Sequence, residues 1–436
     1  MKRKIRILAT WILVSLVLQF SIYSYLESRV AKVLAPPTGN TAPIVKELKA
    51  TVPGNNLENL QLSYAKDYLA YTENGALKVF NLSSQKVVFE KRPVPGSDKN
   101  MGLLHYQWLP DRNTLIYFFA KKNPNPVTTV VVQPSTQPAQ QQSKPQNNQP
   151  QSTTPNPAVE DPNQAPKQQQ PVQNTPKSNT NQTVPQAEAS PQPIVEKRYG
   201  NPQLTELFTL ELPDSNENTL PDDRFNRSLD SFPAGGEIQQ MVVSTFTNLI
   251  YLTVKTNSGL QLMEIDVMKN VRNLHRSGET ITNMAASDKY GTLYVESKVG
   301  NAKHILALEN WKREIVSKNS NDIILGDRSG KLYAGEIKDD KITLIKTLSD
   351  TNENDRKFEF KTKWEGSIPF KNSRIIIGAG GEVIVYNTKV AYIVKNGKLK
   401  ELTLKGEENY ISSDGAEIME INRDGKSTLI ELRPLK

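Results

Sequence analysis

The sequence predicts an all-β protein folded as a β-propeller of about seven four-stranded blades, with an N-terminal transmembrane helix and a long disordered insertion in one hairpin. Three observations lead to this prediction. Strand-like segments recur with a spacing of roughly 40 to 45 residues, the length of one four-stranded blade. An apolar stretch of about twenty residues follows a basic N-terminus and is long enough to span a bilayer. A segment rich in Pro, Gln and Asn has too few apolar residues to form a core.

The N-terminus carries the predicted membrane anchor. Residues 1–6 are mostly basic and are expected to stay in the cytoplasm, and residues 7–26 form the predicted transmembrane helix. The alternative is a cleaved signal peptide, for which residues 33–35 offer a small-residue site, but Pro36 follows them directly. We therefore predict a single-pass protein of the cell membrane whose C-terminal domain is extracytoplasmic.

Charge and cysteine content argue against several classes of protein. The formal net charge of +8 lies mostly in residues 1–39, and the remainder is too weak and scattered to form a nucleic-acid-binding surface. The chain has no cysteine, which excludes disulfides, thiolate metal sites and a thiol nucleophile. We expect no nucleic acid partner, no metal and no cofactor.

Internal repeats define the blades. After a predicted spacer at residues 27–54, the segment SDKYGTLYV at residues 287–295 recurs as GDRSGKLYA at residues 326–334. Tyrosines in Leu-x-Tyr or Leu-Tyr mark one recurring strand, and a polar turn and a second strand follow each of them. The predicted centres of these turns lie near residues 75, 258, 300, 340, 380 and 425.

One turn of this series is replaced by the insertion. The strand that contains Leu115 and Tyr117 has its expected partner at residues 204–210, and residues 124–198 lie between them. Loop closure permits such a long hairpin turn, because its entropic cost rises by only about 0.6 kcal/mol per doubling of length. Residues 55–123 and 199–436 therefore belong to one propeller. The alternative is a linker between two β domains, at residues 40–122 and 198–436.

The number of blades depends on how the hairpins near the C-terminus are assigned. Residues 390–404 also read as a repeat hairpin, yet they begin close behind the predicted turn at Gly380. Both hairpins cannot occupy equivalent positions in successive blades. The prediction is seven blades, with six and eight as the alternatives.

Part of the chain resembles TolB-like and related WD-like propeller repeats. Trp108, Pro110 and Asp111 in QWLPDRNTLIY match the Pro-Asp turn and the strand that ends in Leu-x-Tyr, and Asn81 stands where that family usually has Asp. The later repeats mostly lack the Pro-Asp pair. The resemblance implies a propeller fold and carries no function with it.

The sequence contains no motif that predicts a catalytic, cofactor-binding or metal-binding residue. His105, His275 and His304 stand outside any metal-ligand spacing, and the chain has no G-x-S-x-G nucleophile motif. Propellers of this kind also resemble the N-terminal domains of prolyl-oligopeptidase-type peptidases. This sequence has no motif of the hydrolase domain of those peptidases, so a peptidase is not predicted. Residues 378–381, Gly-Ala-Gly-Gly, have the wrong spacing for a dinucleotide loop and lead into a strand, so they are interpreted as a turn.

Acidic residues give only weak signals. The loops at residues 214–218 and 350–354 begin like calcium loops, but their twelfth positions are Phe225 and Lys361 instead of Glu. Asp288 and Asp327 recur in the two matched repeats. An aspartate in such a register more often fixes a turn by bonding its own backbone than it serves as a catalytic carboxylate.

The function predicted from these features is that of a membrane-anchored, extracytoplasmic propeller that binds or scaffolds proteins at the cell envelope. Its expected partner is an envelope or membrane protein or a cell-wall component, with the binding residues unknown. The insertion, with an r.m.s. span on the order of 50 Å, is either a recognition element or a passive spacer. The alternatives are a sensor with a ligand in the axial channel and, less favoured, a hydrolase or lyase that uses channel carboxylates.

Overall fold

The structure is a computed structural model and describes residue 19 and residues 44–93, 101–124, 126–132, 194–213, 220–349 and 358–435. The chain divides into two units, residues 1–126 with 201–436 and residues 127–200. Apart from Gln19, which is helical, the predicted transmembrane helix at residues 7–26 lies outside the described residues. No helix in the described part of the chain is long and apolar enough to cross a membrane.

The first unit consists of seven four-stranded antiparallel sheets among its described residues, which are blades 1 to 7 of a β-propeller. The first strand in the sequence of this unit, β1 (Leu48–Pro53), comes before blade 1 and belongs to blade 7. Blade 1 contains β2 (Glu58–Leu62), β3 (Tyr68–Glu73), β4 (Ala76–Asn81) and β5 (Lys86–Lys91). Blade 2 contains β6 (Gly102–Trp108), β7 (Thr114–Lys122), β10 (Gln203–Glu211) and β11 (Asp222–Ser228), and the second unit contains β8 (Val127–Val132) and β9 (Ile194–Tyr199). Blade 3 contains β12 (Glu237–Ser244), β13 (Leu249–Thr256), β14 (Gly259–Ile265) and β15 (Val271–Asn273).

The later blades follow the same order. Blade 4 contains β16 (Glu279–Ala286), β17 (Leu293–Val299), β18 (Ala302–Glu309) and β19 (Lys312–Ser317). Blade 5 contains β20 (Asp322–Asp327), β21 (Lys331–Lys338), β22 (Lys341–Ser349) and β23 (Lys361–Pro369). Blade 6 contains β24 (Arg374–Ile377), β25 (Val383–Tyr386), β26 (Val390–Lys395) and β27 (Lys398–Thr403). Blade 7 contains β28 (Glu408–Ile411), β29 (Glu417–Asp424) and β30 (Ser427–Pro434), and β1 completes it.

We name the strands of each blade A to D from the axis outward. First strands of neighbouring blades contact each other, as β12 does with β16 and β16 with β20, so the A strands surround the axis. Because successive strands run antiparallel, the A–B loops and C–D turns lie at one edge of the blades and the B–C hairpins at the other. The recurring tyrosines are all buried on B strands, as the repeats predicted: Tyr71, Tyr117, Tyr251, Tyr294 and Tyr333.

The apolar core lies between the blades. Each of seven hydrophobic clusters in the described residues joins two adjacent blades, for example Phe118 of blade 2 with Leu252 of blade 3. A B strand is covered on both faces by its neighbours, which explains why β3 and β7 are buried along nearly their whole length and read as continuous apolar runs. The stability of the ring therefore depends on every blade having a neighbour on each side.

Blade 7 closes the ring with strands from both ends of the propeller. β1 pairs antiparallel with β30 from Leu48↔Leu432 to Pro53↔Ser427. The prediction that residues 27–54 are a spacer is therefore wrong for residues 48–53. The error has a physical cause: β1 is short, and its partner lies at the other end of the chain, where a local sequence pattern gives no sign of it.

A buried ion cluster fastens this closure. The side chain of Lys66 is 2% exposed, and its Nζ donates to the Ile44 carbonyl and to Asp414 Oδ2 at 2.9 Å, with Glu417 Oε2 at 3.5 Å. Lys46 donates through its backbone N–H to Glu417 and through Nζ to Asp67. We call Lys46, Lys66, Asp67, Asp414 and Glu417 the closure cluster. It ties the residues that precede β1 to the A–B loops of blades 1 and 7.

The insertion interrupts a hairpin inside blade 2. β7 pairs with β10 in continuous register, with Tyr117 opposite Phe208, which is the pairing predicted from the repeats. The alternative of two β domains is wrong, because strands from both sides of the insertion share one sheet. In the second unit β8 pairs with β9, from Val127↔Tyr199 to Val132↔Ile194. Except for Tyr199, the paired residues lie within the range predicted to be disordered, residues 124–198, and this pairing was not predicted.

Blade 6 explains the ambiguous hairpins. The predicted B–C turn at Gly380 is wrong: this residue lies in the A–B loop between β24 and β25. The B–C hairpin joins Tyr386 to Val390, and residues 390–404 supply the C–D hairpin of the same blade. The spacing misled because β24 and β25 are only four residues long. The prediction of seven blades is confirmed.

Candidate functional site: a groove between blades 3 and 4

An open depression lies between blades 3 and 4 and has a volume of about 790 Å³. The A–B loops and C–D turns of both blades line it together with the outer part of blade 3. The D strand of blade 3, β15, has three residues, whereas β19 of blade 4 has six. This short outer strand leaves the interface between the two blades uncovered. We call the depression the blade 3–4 groove.

The groove has an apolar base and exposed apolar walls. Its base contains Tyr251 and Leu293, which belong to the core cluster that joins the two blades. Phe246 in the A–B loop of blade 3 is 48% exposed, Val267 in the C–D turn of blade 3 is 56% exposed, and Trp311 in the C–D turn of blade 4 is 75% exposed. Large exposed apolar side chains gathered around one depression mark interaction sites.

Trp311 occupies a backbone position that usually requires glycine. Asn310 and Trp311 form the two-residue turn between β18 and β19, with φ values of 48° and 68°. Two positive φ values in such a turn correspond to a type I′ hairpin, for which Asn-Gly is the preferred pair. The C–D turn of blade 6 has that pair, Asn396 and Gly397. A side chain in the left-handed region costs about 1–2 kcal/mol, so this exposed tryptophan is kept at the expense of backbone strain.

Arg272 holds the tryptophan side of the groove. Its guanidinium lies 5.4 Å from the centre of the Trp311 ring, within the range of a cation–π interaction. The same guanidinium forms ion pairs with Glu264 at 3.3 Å and Asp266 at 3.5 Å. Burial raises the pKa of Glu264, and Arg272 opposes that shift. The ring, the guanidinium and the two carboxylates form one connected group across the two blades.

A second ion pair lies beneath the groove. Arg313 Nη1 donates to both carboxylate oxygens of Glu279, at 2.7 and 2.8 Å, and Ser297 Oγ donates to the same carboxylate at 2.6 Å. Burial opposes ionisation of this group, but the bonds from Arg313 and Ser297 prevail and lower the pKa of Glu279. Arg313 also donates to the Leu274 carbonyl, so it connects the D strand of blade 4 to the end of blade 3.

Two further basic residues of the groove have no ion partner among the described residues. Arg276 follows β15 and Lys312 begins β19, and both are exposed. The acidic groups that line the groove are already engaged: Glu264 and Asp266 pair with Arg272, and Glu309 also has an interaction. A ligand can therefore reach two cations that are not paired within the described part of the fold, Arg276 and Lys312.

The three histidines do not form a site. Burial lowers the pKa of His105 on β6 to about 4, so this imidazole is neutral at physiological pH. His304 lies on β18 opposite Ser297. His275 lines the blade 3–4 groove, where its Nδ1 is buried without a hydrogen-bond partner in the described structure.

The predicted turn residues join neighbouring blades. Asp288 accepts hydrogen bonds from the backbone N–H groups of Ser329 at 2.8 Å and Gly330 at 2.9 Å, and its own N–H donates to Asp327. Asp288 was predicted to fix a turn through its own backbone. Its side chain instead binds the turn of the next blade. Residues 378–381 form a turn, in which Gly381 donates to the Gly378 carbonyl. Both acidic loops, residues 214–218 and 350–354, lie outside the described residues.

The described residues contain no group of three or more His, Asp or Glu side chains that could hold a metal ion. Burial raises the pKa of Glu264 in blade 3 and of Glu417 in blade 7, so these two carboxyl groups belong to different sites. Sequence analysis missed Trp311 and Arg272, although Asn-Trp where a hairpin turn favours Asn-Gly was a signal available in the sequence.

Comparisons with known proteins bear on the fold alone. No protein-family model matches the sequence, and no curated protein matches it significantly. Among solved structures, the β-propeller domain of Cps50 (Swd1) from Myceliophteria thermophila is similar, at 11% identity and a TM-score of 0.46, over 90% of this chain and 100% of that one. The Dos1 propeller is 8% identical with a TM-score of 0.39, over 86% of this chain and 78% of that one.

A third solved structure covers less of the chain. A protein of a nidogen/laminin complex is 12% identical with a TM-score of 0.34, over 50% of this chain and 82% of that one. All three TM-scores are low, so the fold is established by the seven sheets of the chain itself. The resemblance to TolB-like repeats stays a prediction, whereas the seven-bladed β-propeller is a finding.

Proposed function

We propose that this protein is a protein-binding module that contacts its partner through the blade 3–4 groove. The β-propeller is typical of protein-binding and scaffolding modules, but the function has to be argued from the site and not from the fold. The observation that carries the proposal is Trp311, which is 75% exposed in a strained turn beside an apolar depression. Tryptophan and arginine dominate the binding energy of protein interfaces, and in this groove Arg272 lies over the Trp311 ring.

The proposal includes a place for the module. The basic residues 1–6 and the apolar residues 7–26 support an N-terminal membrane anchor, with the propeller on the extracytoplasmic side. The partner is then an envelope or membrane protein or a cell-wall component. We also propose that the chain acts without catalysis. A ligand sensor and an envelope hydrolase or lyase stay as alternatives.

Crosslinking in intact cells tests the binding surface. The full chain is compared with Trp311→Ser and with the control Leu399→Ser, which alters another exposed apolar side chain, on β27 of blade 6. After membrane purification, mass spectrometry should find a partner that is lost from Trp311→Ser and retained by Leu399→Ser. Equal capture by all three proteins would contradict a role for the groove.

A second variant separates the groove from the insertion. Residues 126–200 are replaced by a short Asn-Gly turn, which joins β7 to β10 directly. Capture that survives this replacement but not Trp311→Ser supports the groove, and the reverse pattern assigns recognition to the insertion.

Protease added to intact cells tests the topology. If the propeller is extracytoplasmic, the protease should cut the Pro/Gln/Asn-rich segment. An insertion that is cut only after lysis would refute the proposed location.

A further inference from the structure

We infer that the blade 3–4 groove recognises an acidic segment of its protein partner, one that presents an apolar side chain next to Asp or Glu residues. This inference rests on the proposed function and adds the chemistry of the partner. It follows from two properties of the groove: the apolar surface that it leaves exposed, and the two basic side chains, Arg276 and Lys312, that have no carboxylate partner among the described residues.

The apolar part of the ligand is indicated by the walls of the groove. Phe246 and Val267 of blade 3 face the same depression as Trp311 of blade 4. Their exposed surface is removed from water if an apolar side chain enters between the two blades, and such burial contributes about 25 cal/mol per Å². Arg272, held by Glu264 and Asp266, keeps the Trp311 ring in place. The ring therefore loses little conformational freedom on binding.

The acidic part of the ligand is indicated by the rim. Arg272 and Arg313 already have carboxylate partners within the fold. Arg276 and Lys312 are exposed and have none among the residues that the structure describes. Lys312 directly follows Trp311 in the sequence, and both residues line the groove. Carboxylates at this rim would pair with both cations, and complementary rim charges speed association and select the partner.

A basic or neutral segment would bind less well for the same reason. A basic segment would repel Arg276 and Lys312, and it would compete with Arg272 for Glu264 and Asp266. A neutral segment would leave the two cations without the additional pairing. The groove therefore discriminates by charge sign as well as by apolar fit.

The test is a selection from a random peptide library displayed on phage. The bait is the full chain in detergent micelles, at low salt and again at about 0.5 M NaCl, where the Debye length is short enough to screen exposed charges. We expect the enriched peptides to carry Asp or Glu beside Leu, Ile, Met or an aromatic residue. We expect high salt to reduce the enrichment by at least about tenfold.

Three variants identify the site. Trp311→Ser should abolish the enrichment, and Arg276→Glu with Lys312→Glu should reduce it by at least about tenfold. The control, Lys398→Glu with Lys400→Glu, reverses two exposed lysines on β27 of blade 6 and should leave it unchanged. All five substituted residues are exposed, so each variant should remain folded. Thermal unfolding of each variant checks this.

The outcomes separate the two proposals. Enrichment that depends on Trp311 but shows no acidic preference, or that ignores the charge reversal at Arg276 and Lys312, overturns the acidic segment and leaves the binding groove standing. Enrichment that is indifferent to Trp311→Ser, or the absence of any enriched peptide, overturns both.

Discussion

Two clefts between neighbouring blades of this propeller differ in whether another segment covers them. Between blades 7 and 1, the residues that precede β1 cover the cleft, and Lys66 is buried there with Asp414 and Glu417. Between blades 3 and 4 no described segment covers the groove, and Trp311 and Phe246 stay exposed. A cleft between two blades can therefore be covered by another segment or left open. The chain fills one with its own N-terminal segment, and we propose that a partner fills the other.

The largest expected effect comes from breaking the closed cleft. Lys66→Met leaves Asp414 and the fully buried Glu417 without their cation, and removing one partner of a buried ion pair costs about 3–5 kcal/mol. The free energy of unfolding, measured by urea titration, should fall by that amount. Lys49→Met is the matched control on β1: its exposed pair with Glu431 should cost less than about 1 kcal/mol.

A second substitution checks the cause. Burial raises the pKa of Glu417 although Lys66 lies 3.5 Å away, so its charged form is held at a cost. Glu417→Gln should therefore restore part of the stability lost in Lys66→Met, because it removes the charge left unpaired. Additive effects of the two substitutions would contradict an electrostatic coupling in the closure cluster.

Acid should weaken both regions. Asp414 in the closure cluster and Glu279 beneath the groove are buried, which opposes ionisation, yet Lys66 and Arg313 respectively lower their pKa values. A carboxyl group with a lowered folded pKa contributes stability that is present above its unfolded pKa, about 4, and is lost as the pH falls through the folded value. The unfolding free energy should decline below about pH 4.

The pH dependence also has an internal control. Combining Asp414→Asn with Glu279→Gln should flatten the decline, since neither side chain can then take up a proton. Burial raises the pKa of Glu264 and Glu417, so their contribution has the opposite sign: it is present at low pH and lost as the pH rises through their folded pKa values. An unchanged acid limb in the double variant would refute the assignment.

A smaller effect is expected where the groove's neighbour, blade 5, is tied to blade 4. Asp288→Ala removes the acceptor for the N–H groups of Ser329 and Gly330, and hydrogen bonds to a charged group contribute about 1.5–3 kcal/mol. We expect a loss in that range by urea titration. Asp222→Ala, which breaks an exposed pair with Arg224 in blade 2, should cost less than about 1 kcal/mol. Equal losses of unfolding free energy for the two variants would mean that the hydrogen bonds between blades 4 and 5 stabilise the protein no more than an exposed ion pair does.

The smallest effect is expected at the open groove. Trp311→Gly relieves a left-handed backbone position and loses a cation–π contact, two terms of about 1 kcal/mol with opposite signs. Stability should therefore change by less than about 1 kcal/mol, whereas Trp364→Ala in the core between blades 5 and 6 should cost about 3–5 kcal/mol. A large loss for Trp311→Gly would make this tryptophan a structural residue and remove its argument for binding.

The repeats in the sequence predicted most of the propeller, because most blades are local units whose B strand carries a tyrosine and is followed by a turn. The B–C pairing across the insertion was predicted for the same reason: Leu115 and Tyr117 required a partner, and only residues 204–210 offered one. β1 was missed because its partner, β30, lies at the opposite end of the chain.

The candidate site was less accessible from the sequence. The blade 3–4 groove depends on the three-residue length of β15 and on side chains of two blades that meet only after folding. Trp311 left one local signal, a bulky residue after Asn in a two-residue turn. Its exposure and its contact with Arg272 required the structure.

The closure of blade 7 also sets an order of events during synthesis. Gly54 accepts a hydrogen bond from Thr428, and 374 positions separate the two residues in the sequence. At about 5–20 residues per second, a ribosome needs on the order of 20–75 s to make that length of chain. β1 is therefore synthesised before its partner β30 by that interval. Until β30 is available, Ala50 and Val52, which are buried in the folded protein, are exposed to water or to a chaperone.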